Sequence, residues 1–311
     1  MYGYTFLGED VSIIYDVDMS SMVTVKTGGR ARAVAYPKNV FQLQKILYSL
    51  RQKGEKYFVL GNGSNTLVSD EGYSGIVIKI GGYFGRISLC KDEVSLSVGA
   101  GASCAAVSAF ALKNSLAGAE FLCAIPGSVG GATVINAGCY GYCMADVVTS
   151  VYAVTADGKK TYTKQKICYG YRDSVFCRND DVVAKVKITL KKGDAAAISG
   201  LMQKIKETKR ASQPLDYPSF GSVFKSCGGK SAALLIDAAG LKGLTVGGAR
   251  ISDKHAGFFI NTGKATTEDF LTLIDVAGNK IREKNGLILQ PEVKYLGDTD
   301  DLGRLSYTHI F

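Results

Sequence analysis

Tryptophan is absent from this chain of 311 residues, histidine occurs twice, at His255 and His309, and proline five times. Two histidines are too few to complete the common zinc patterns, and the eight cysteines, at 90, 104, 123, 139, 143, 168, 177 and 227, include no C-x-x-C pair. No metal site is expected, and the cysteines read as mostly reduced, buried thiols. No apolar run approaches the ~18 residues of a membrane span. Met1 to Ser21 carries Glu9, Asp10, Asp16 and Asp18 and lacks the basic and apolar regions of a secretory signal. A cytoplasmic protein with no membrane partner is expected. Runs of five basic residues, aromatic-rich single-strand motifs and recognition-helix patterns are also missing, so the excess of 37 basic over 28 acidic residues, a charge of +9, does not point to nucleic acid. It favours an anionic small molecule carrying several phosphates.

What the chain does have is an apolar fraction of 46%, enough for a full core, and a length that suits two or three domains. Leu43, Ile46, Leu47 and Leu50 repeat at helical spacing behind an Asn39 cap, with Gly54 as the stop. Strands are expected at Tyr57 to Leu60, Ile76 to Ile80, Ile87 to Leu89, Val94 to Val98, Val151 to Val154, Lys160 to Thr163 and Val183 to Leu190, and a helix over Ala102 to Leu116. In the last strand Val186, Ile188 and Leu190 alternate with Lys185, Lys187 and Thr189, the pattern of a half-exposed sheet face. Helices return at Ile198 to Ile205 and at Phe270 to Ile281, the latter opened by Thr266 and Asp269 as a capping box. The fold class is α+β, with three parts: 1–82, 83–200 and 201–311.

Two glycine-rich runs carry the chemistry. The first, Gly61-Asn62-Gly63-Ser64-Asn65-Thr66, lies directly behind a strand. Alternate glycines permit positive φ, so successive amides can turn inward around an anion while the Ser, Asn and Thr side chains add neutral donors. Only about fifteen residues separate Leu60 from the next strand, so no crossover helix fits and a phosphate would rest on loop backbone. The second, Ile125-Pro126-Gly127-Ser128-Val129-Gly130-Gly131, leads into a nearly uncharged stretch containing Asn136 and Gly138. Small residues at this density let backbone approach a flat ligand; the same run also suits a packed turn feeding a buried helix. Pro126, Pro214, Pro218 and Pro291 lie within a few residues of polar motifs, where rigid turns would hold side chains in place.

The ordered motifs Thr27-Gly28-Gly29, GNGSNTLVSD from Gly61, AIPGSVGGATVINAG from Ala124, Tyr171-Arg172-Asp173-Ser174, Gln213-Pro214-Leu215 with Gly221-Ser222-Val223-Phe224-Lys225, and Gln290-Pro291-Glu292 resemble the UDP-N-acetylenolpyruvoylglucosamine reductase family over nearly the whole chain. The short distance from Arg172 to Pro214 is similar to the shorter subtype, which lacks a tyrosine insertion. The resemblance implies two FAD-binding parts of the vanillyl-alcohol-oxidase type, a third part that closes over substrate, non-covalent FAD, NADPH as co-substrate and a monomer. It implies reduction of UDP-N-acetylglucosamine enolpyruvate, with hydride reaching the enolpyruvyl β-carbon from the flavin and negative charge building toward the carboxylate.

That transition state needs a cation on the carboxylate, a group to stabilise the enediolate and an acid for the α-carbon. Arg172, Glu292 and Ser222 match the family's motif at these roles. Glu292 would serve with its pKa raised by burial beside substrate. Alone, each has a plainer reading: Arg172 paired with Asp173 or Asp180, Ser222 as a cap, Glu292 exposed beside a strand. Lys225 and Arg210 suit diphosphate or NADPH phosphates, and Tyr140 and Asn136 the neighbourhood of the flavin, while His255 reads as structural. Ser226-Cys227 replaces the family's usual Asn-Pro, and Cys227 is expected near the active site. The rivals are a flavin oxidase on the same scaffold and a non-catalytic nucleotide-binding protein. Both histidines fall after the FAD-binding part, which excludes an oxidase tethering its flavin to a histidine there.

Overall fold

The computed structural model describes residues 11 to 299; His309, Glu9 and Asp10 lie outside them. Asn39, in extended backbone, accepts from the Gln42 amide at 2.9 Å and opens α1 (Val40–Gln52), and Gly54 beyond its end has φ +61°. The expected leucine and isoleucine stripe is its buried face. The flanking sequence forms β1 (Ser12–Asp18), β2 (Arg30–Tyr36), β3 (Tyr57–Leu60), β4 (Thr66–Val68) and β5 (Tyr73–Lys79). One sheet has the order β1-β2-β5-β3, with β3 and β5 parallel and Leu60 opposite Lys79. β5 starts ahead of the expected Ile76, and β4 was not anticipated: its partner is β19 (Lys294–Leu296), far along the chain.

The middle of the chain forms β6 (Ile87–Leu89), β7 (Ser95–Gly99), α2 (Cys104–Lys113), β8 (Leu116–Ala117), α3 (Val129–Val134), β9 (Gly138–Cys139), β10 (Tyr142–Cys143), α4 (Met144–Val147), β11 (Val148–Thr155), β12 (Gly158–Thr163), α5 (Lys164–Ile167), β13 (Val182–Thr189) and β14 (Lys191–Lys192). An antiparallel sheet in the order β12-β11-β13-β7-β6 is its centre. Val186 and Ile188 are buried and Lys185 and Lys187 exposed, as the alternation requires. α2 is shorter than expected because Ser103 caps it, accepting from the Ala106 amide at 3.1 Å, and Ser115 at φ +53° follows its last turn.

The remainder supplies α6 (Ala195–Ser212), β15 (Ser219–Ser222), α7 (Ala232–Ala238), β16 (Thr245–Val246), β17 (Ala249–Ile251), β18 (Phe258–Asn261) and α8 (Thr267–Asn285), with a sheet in the order β15-β18-β17-β16. Thr266 and Asp269 form the expected capping box on α8. The Asp70 carboxylate adds a second cap, accepting from the Thr267 and Glu268 amides at 2.9 and 3.0 Å.

These elements belong to two compact units, each drawn from separated stretches: Ala33–Asn62 and Ile76–Lys209 with residues 11–14 in the first, and Tyr15–Arg32, Gly63–Gly75 and 210–299 in the second. The division falls within β1, β2, β5 and α6, so each contributes residues to both. In the first unit the core joins α1, the central sheet and the residues around α2 and α3. In the second, Phe220 meets Phe270 edge to face with centroids 5.3 Å apart, and Leu273, Ile274 and Ile281 are fully buried beside them on α8.

One expectation fails. The eight thiols are free, but only Cys104 is buried; Cys168 and Cys177 are exposed and the other five partly so. Most lie at element ends, where backbone carbonyls accept their weak S–H donors, as Val134 does for Cys177 at 3.2 Å and Phe121 for Cys139 at 3.4 Å. Among the described residues no helix is long and apolar enough to cross a membrane.

Candidate cofactor and active site

In the first unit the two glycine-rich runs touch. A Cβ on Gly61, directly after β3, would lie 2.4 Å from Ser128 Oγ, so a side chain at this position would force the Ser128 hydroxyl to move. Ser128 is buried, caps α3 and bridges to Ser103. The second run is laced to the segment after β7: Gly130 and Val129 donate to the Ala100 and Ala102 carbonyls at 2.8 Å, and Cys104 donates to that of Gly127 at 3.1 Å. A Cβ on Gly130 would lie 2.8 Å from the Ala100 Cβ, which explains that glycine. Pro126 and Gly131 are exposed, and Ile125 is partly so.

Two half-buried lysines clamp these runs. Lys79, the last residue of β5, donates through Nζ to the Gly61 carbonyl, and burial lowers its pKa. Lys209 on α6 donates to the Ala124 carbonyl at 2.8 Å; burial lowers its pKa too, with the Cys139 and Cys123 thiols as neighbours. Neither was singled out from sequence, although a lone lysine in the apolar strand ending at Ile80 was a visible signal.

Asn136 ties three segments together. At φ +45°, its Oδ1 accepts from Ala145 and its Nδ2 donates to the Gly170 carbonyl, both at 2.9 Å. Gly170 in turn donates to the Asp173 carbonyl at 2.9 Å, closing a turn with Tyr171 and Arg172 at its tip. Arg172, at φ +54°, lies over the Tyr171 ring at 5.3 Å and donates through Nη2 to Gly138 at 3.4 Å. The nearby Asp173 carboxylate pairs with Arg178. Tyr140, exposed at φ +53°, and Gly141 turn the β9–β10 hairpin. Tyr140, Tyr142, Phe121 and the α6 residues Leu201, Lys204 and Ile205 line a cavity of about 160 Å³.

The second unit gathers the rest. Glu292 donates its amide to Val223 at 2.7 Å, Lys225 donates to Gln290 at 2.9 Å, and Phe224 bridges to Pro291, so the stretch containing Ser222 and Lys225 runs antiparallel to that containing Glu292. Asn65 joins them: its Nδ2 donates to the Glu292 carbonyl at 3.1 Å, and its own carbonyl accepts from Lys294 at 3.0 Å. Gly63 has φ +67°, and a Cβ there would lie 2.4 Å from the Met22 carbonyl oxygen. Thr66 is buried at the start of β4; Ser64 is partly buried and Ser222 exposed. The expected cofactor run is therefore shared, Gly61 and Asn62 in the first unit and Gly63 to Thr66 in the second.

Arg210 is exposed, and its backbone carbonyl accepts from Lys254 at 2.5 Å. His255 accepts at Nδ1 from the Gly257 amide at 3.1 Å and meets Phe258 edge to face; burial lowers its pKa. Cys227, partly exposed two residues beyond Lys225, donates to the Ile288 carbonyl at 3.3 Å.

Comparison with known proteins covers both units. Residues 31–163 match the family model described as an FAD binding domain, and residues 213–296 that of the UDP-N-acetylenolpyruvoylglucosamine reductase C-terminal domain. Proteins named UDP-N-acetylenolpyruvoylglucosamine reductase are 38% identical in Geobacillus kaustophilus, over 92% of this chain and 94% of the relative, and 39% identical in Lactobacillus johnsonii, over 94% and 97%. The crystal structure of UDP-N-acetylenolpyruvylglucosamine reductase from Thermus caldophilus superimposes with a TM-score of 0.78 at 32% identity, covering 92% of this chain and 98% of that one.

Proposed function

The chain belongs to the UDP-N-acetylenolpyruvoylglucosamine reductase family, and on that premise we propose that it uses NADPH and a non-covalent FAD to reduce UDP-N-acetylglucosamine enolpyruvate to UDP-N-acetylmuramate. It does so as a cytoplasmic monomer in peptidoglycan precursor synthesis. In this proposal residues 1–82 and 83–200 serve the cofactor and 201–311 the substrate. Within the first unit the donors suit a phosphate: the Gly127 amide at positive φ, the Ser128 hydroxyl, and a half-buried ammonium at Gly61. The runs 61–66 and 125–131, with Asn136 and Gly138, would hold FAD, which when bound carries hydride from NADPH to the substrate's β-carbon.

The protein's own groups handle charge and proton. Arg172 grips the carboxylate through its planar fork, which offers two parallel N–H donors. Ser222 gives its hydroxyl proton to the α-carbon, where the carbanion is a stronger base than the alkoxide left behind. Glu292, its carboxyl buried and protonated when substrate is bound, stabilises the enediolate, and Lys225, Arg210 and Tyr140 receive the phosphates and the flavin-side end of the ligand. The observation that carries this reading is the pairing in the second unit, where the Glu292 amide donates to Val223, the neighbour of Ser222, and Asn65 fixes the Glu292 carbonyl.

An anaerobic experiment tests it. The flavin bleaches with NADPH, and UDP-N-acetylglucosamine enolpyruvate then restores the yellow absorbance rapidly. Return only with oxygen would overturn the reading in favour of an oxidase, and a chain that takes up no flavin would overturn it altogether.

A further inference from the structure

A cofactor diphosphate brings two negative charges, yet neither glycine-rich run contains a lysine or arginine. The first run leads into the short strand β4, with no helix behind it, and α3, which begins within the second, is only six residues long. Amide dipoles alone would then have to balance the charge. Lys79 stands at the place where the two runs meet. β3 and β5 are parallel with Leu60 opposite Lys79, so the side chain rises at the carboxyl ends of both strands, where open α/β sheets take their ligands. Its ammonium donates to the Gly61 carbonyl, the residue in contact with Ser128. Among the described residues no carboxylate forms an ion pair with it. An ammonium has three protons and one is used on Gly61. A half-buried cation satisfied by one carbonyl is costly unless an anion joins it.

We infer that Lys79 binds the diphosphate of FAD, supplying the formal positive charge that the two glycine-rich runs lack. This rests on the assignment of FAD as cofactor. Clamping the Gly61 carbonyl alone would need a donor and no net charge, and that difference makes the two roles separable. Lys209 is the closest comparison, but its ammonium has the Cys123 and Cys139 thiols beside it.

The test uses the full chain stripped of flavin, titrated with FAD and with riboflavin by fluorescence at several salt concentrations. In Lys79→Met the Kd for FAD rises roughly ten- to a hundredfold, as for loss of one charge-assisted hydrogen bond. The salt dependence of FAD binding flattens, riboflavin binding is unchanged, and Lys79→Arg stays near the wild type. If Lys79→Met does not fold, Lys79→Gln, which keeps a donor without the charge, gives the same readings. FAD affinity and salt dependence equal to wild type in the variant would overturn the inference alone. Equal losses for FAD and riboflavin would overturn it in favour of a clamp. A wild-type chain without affinity for FAD would overturn it together with the cofactor assignment.

Discussion

Ser222 lies exposed at the end of β15, so losing its hydroxyl opens no cavity and its effect reports on chemistry. Ser222→Ala therefore leaves flavin bleaching by NADPH intact and slows reoxidation by the enolpyruvate by roughly 10²- to 10⁴-fold, the usual contribution of a placed acid; stopped-flow absorbance separates the two half-reactions. His255 gives a pH prediction whose sign follows from burial. The folded state favours the neutral ring, so its pKa lies below the ordinary 6.5. On acidification the unfolded chain takes the proton first. The His255 contribution is whole above pH 6.5 and is lost as pH falls through the folded value. His255→Asn, which keeps an acceptor for the Gly257 amide, makes Tm less sensitive to pH below 6.5. Arg172, Ser222 and Glu292 could be nominated from sequence because the proposed chemistry asks for particular side chains, and their roles rest on that proposal. Lys79 and Lys209 could not, because a lysine becomes informative only once its burial and its acceptor are known.

At the scale of elements, what could be read was what local sequence decides. The Asn39 cap, the α1 stripe and the Thr266–Asp269 capping box follow from neighbours within a turn or two, and the structure has all three. β4 and the Asp70 cap depend on partners far away: Asp70 receives an amide 197 residues along the chain. Asp70 closes the GNGSNTLVSD segment, and its carboxylate holds the first two amides of α8. Asp70→Ala accordingly lowers stability by about 1–2 kcal/mol, the range of a lost cap plus its interaction with the helix dipole. Chemical denaturation detects this as a lower midpoint with unchanged slope, and Asp70→Asn falls between the variant and the wild type.

For the whole molecule, ligand linkage is the decisive measurement. FAD at a hundred times its Kd adds about 2.7 kcal/mol to stability if it binds only the folded chain, so differential scanning shows a Tm that climbs with FAD concentration. Reductant alone leaves that Tm unmoved, since all eight thiols are free. The mixed α+β class and the FAD-binding portion were legible from motif order and periodicity. That Gly61 and Asn62 belong to one compact unit and Gly63 to Thr66 to the other was not, since a local pattern carries no information about which distant segment will cover it. This discontinuity also sets a timetable for synthesis. The second unit needs residues 15–32, 63–75 and 210 onward, so no contiguous piece of the chain contains it. At the ~5–20 residues per second of translation, its early segments must wait for tens of seconds on the ribosome before their partners emerge. Val23, Val25, Leu67 and Val68, all buried in the finished protein, are exposed for that time, and they are where a nascent-chain chaperone would be expected to bind.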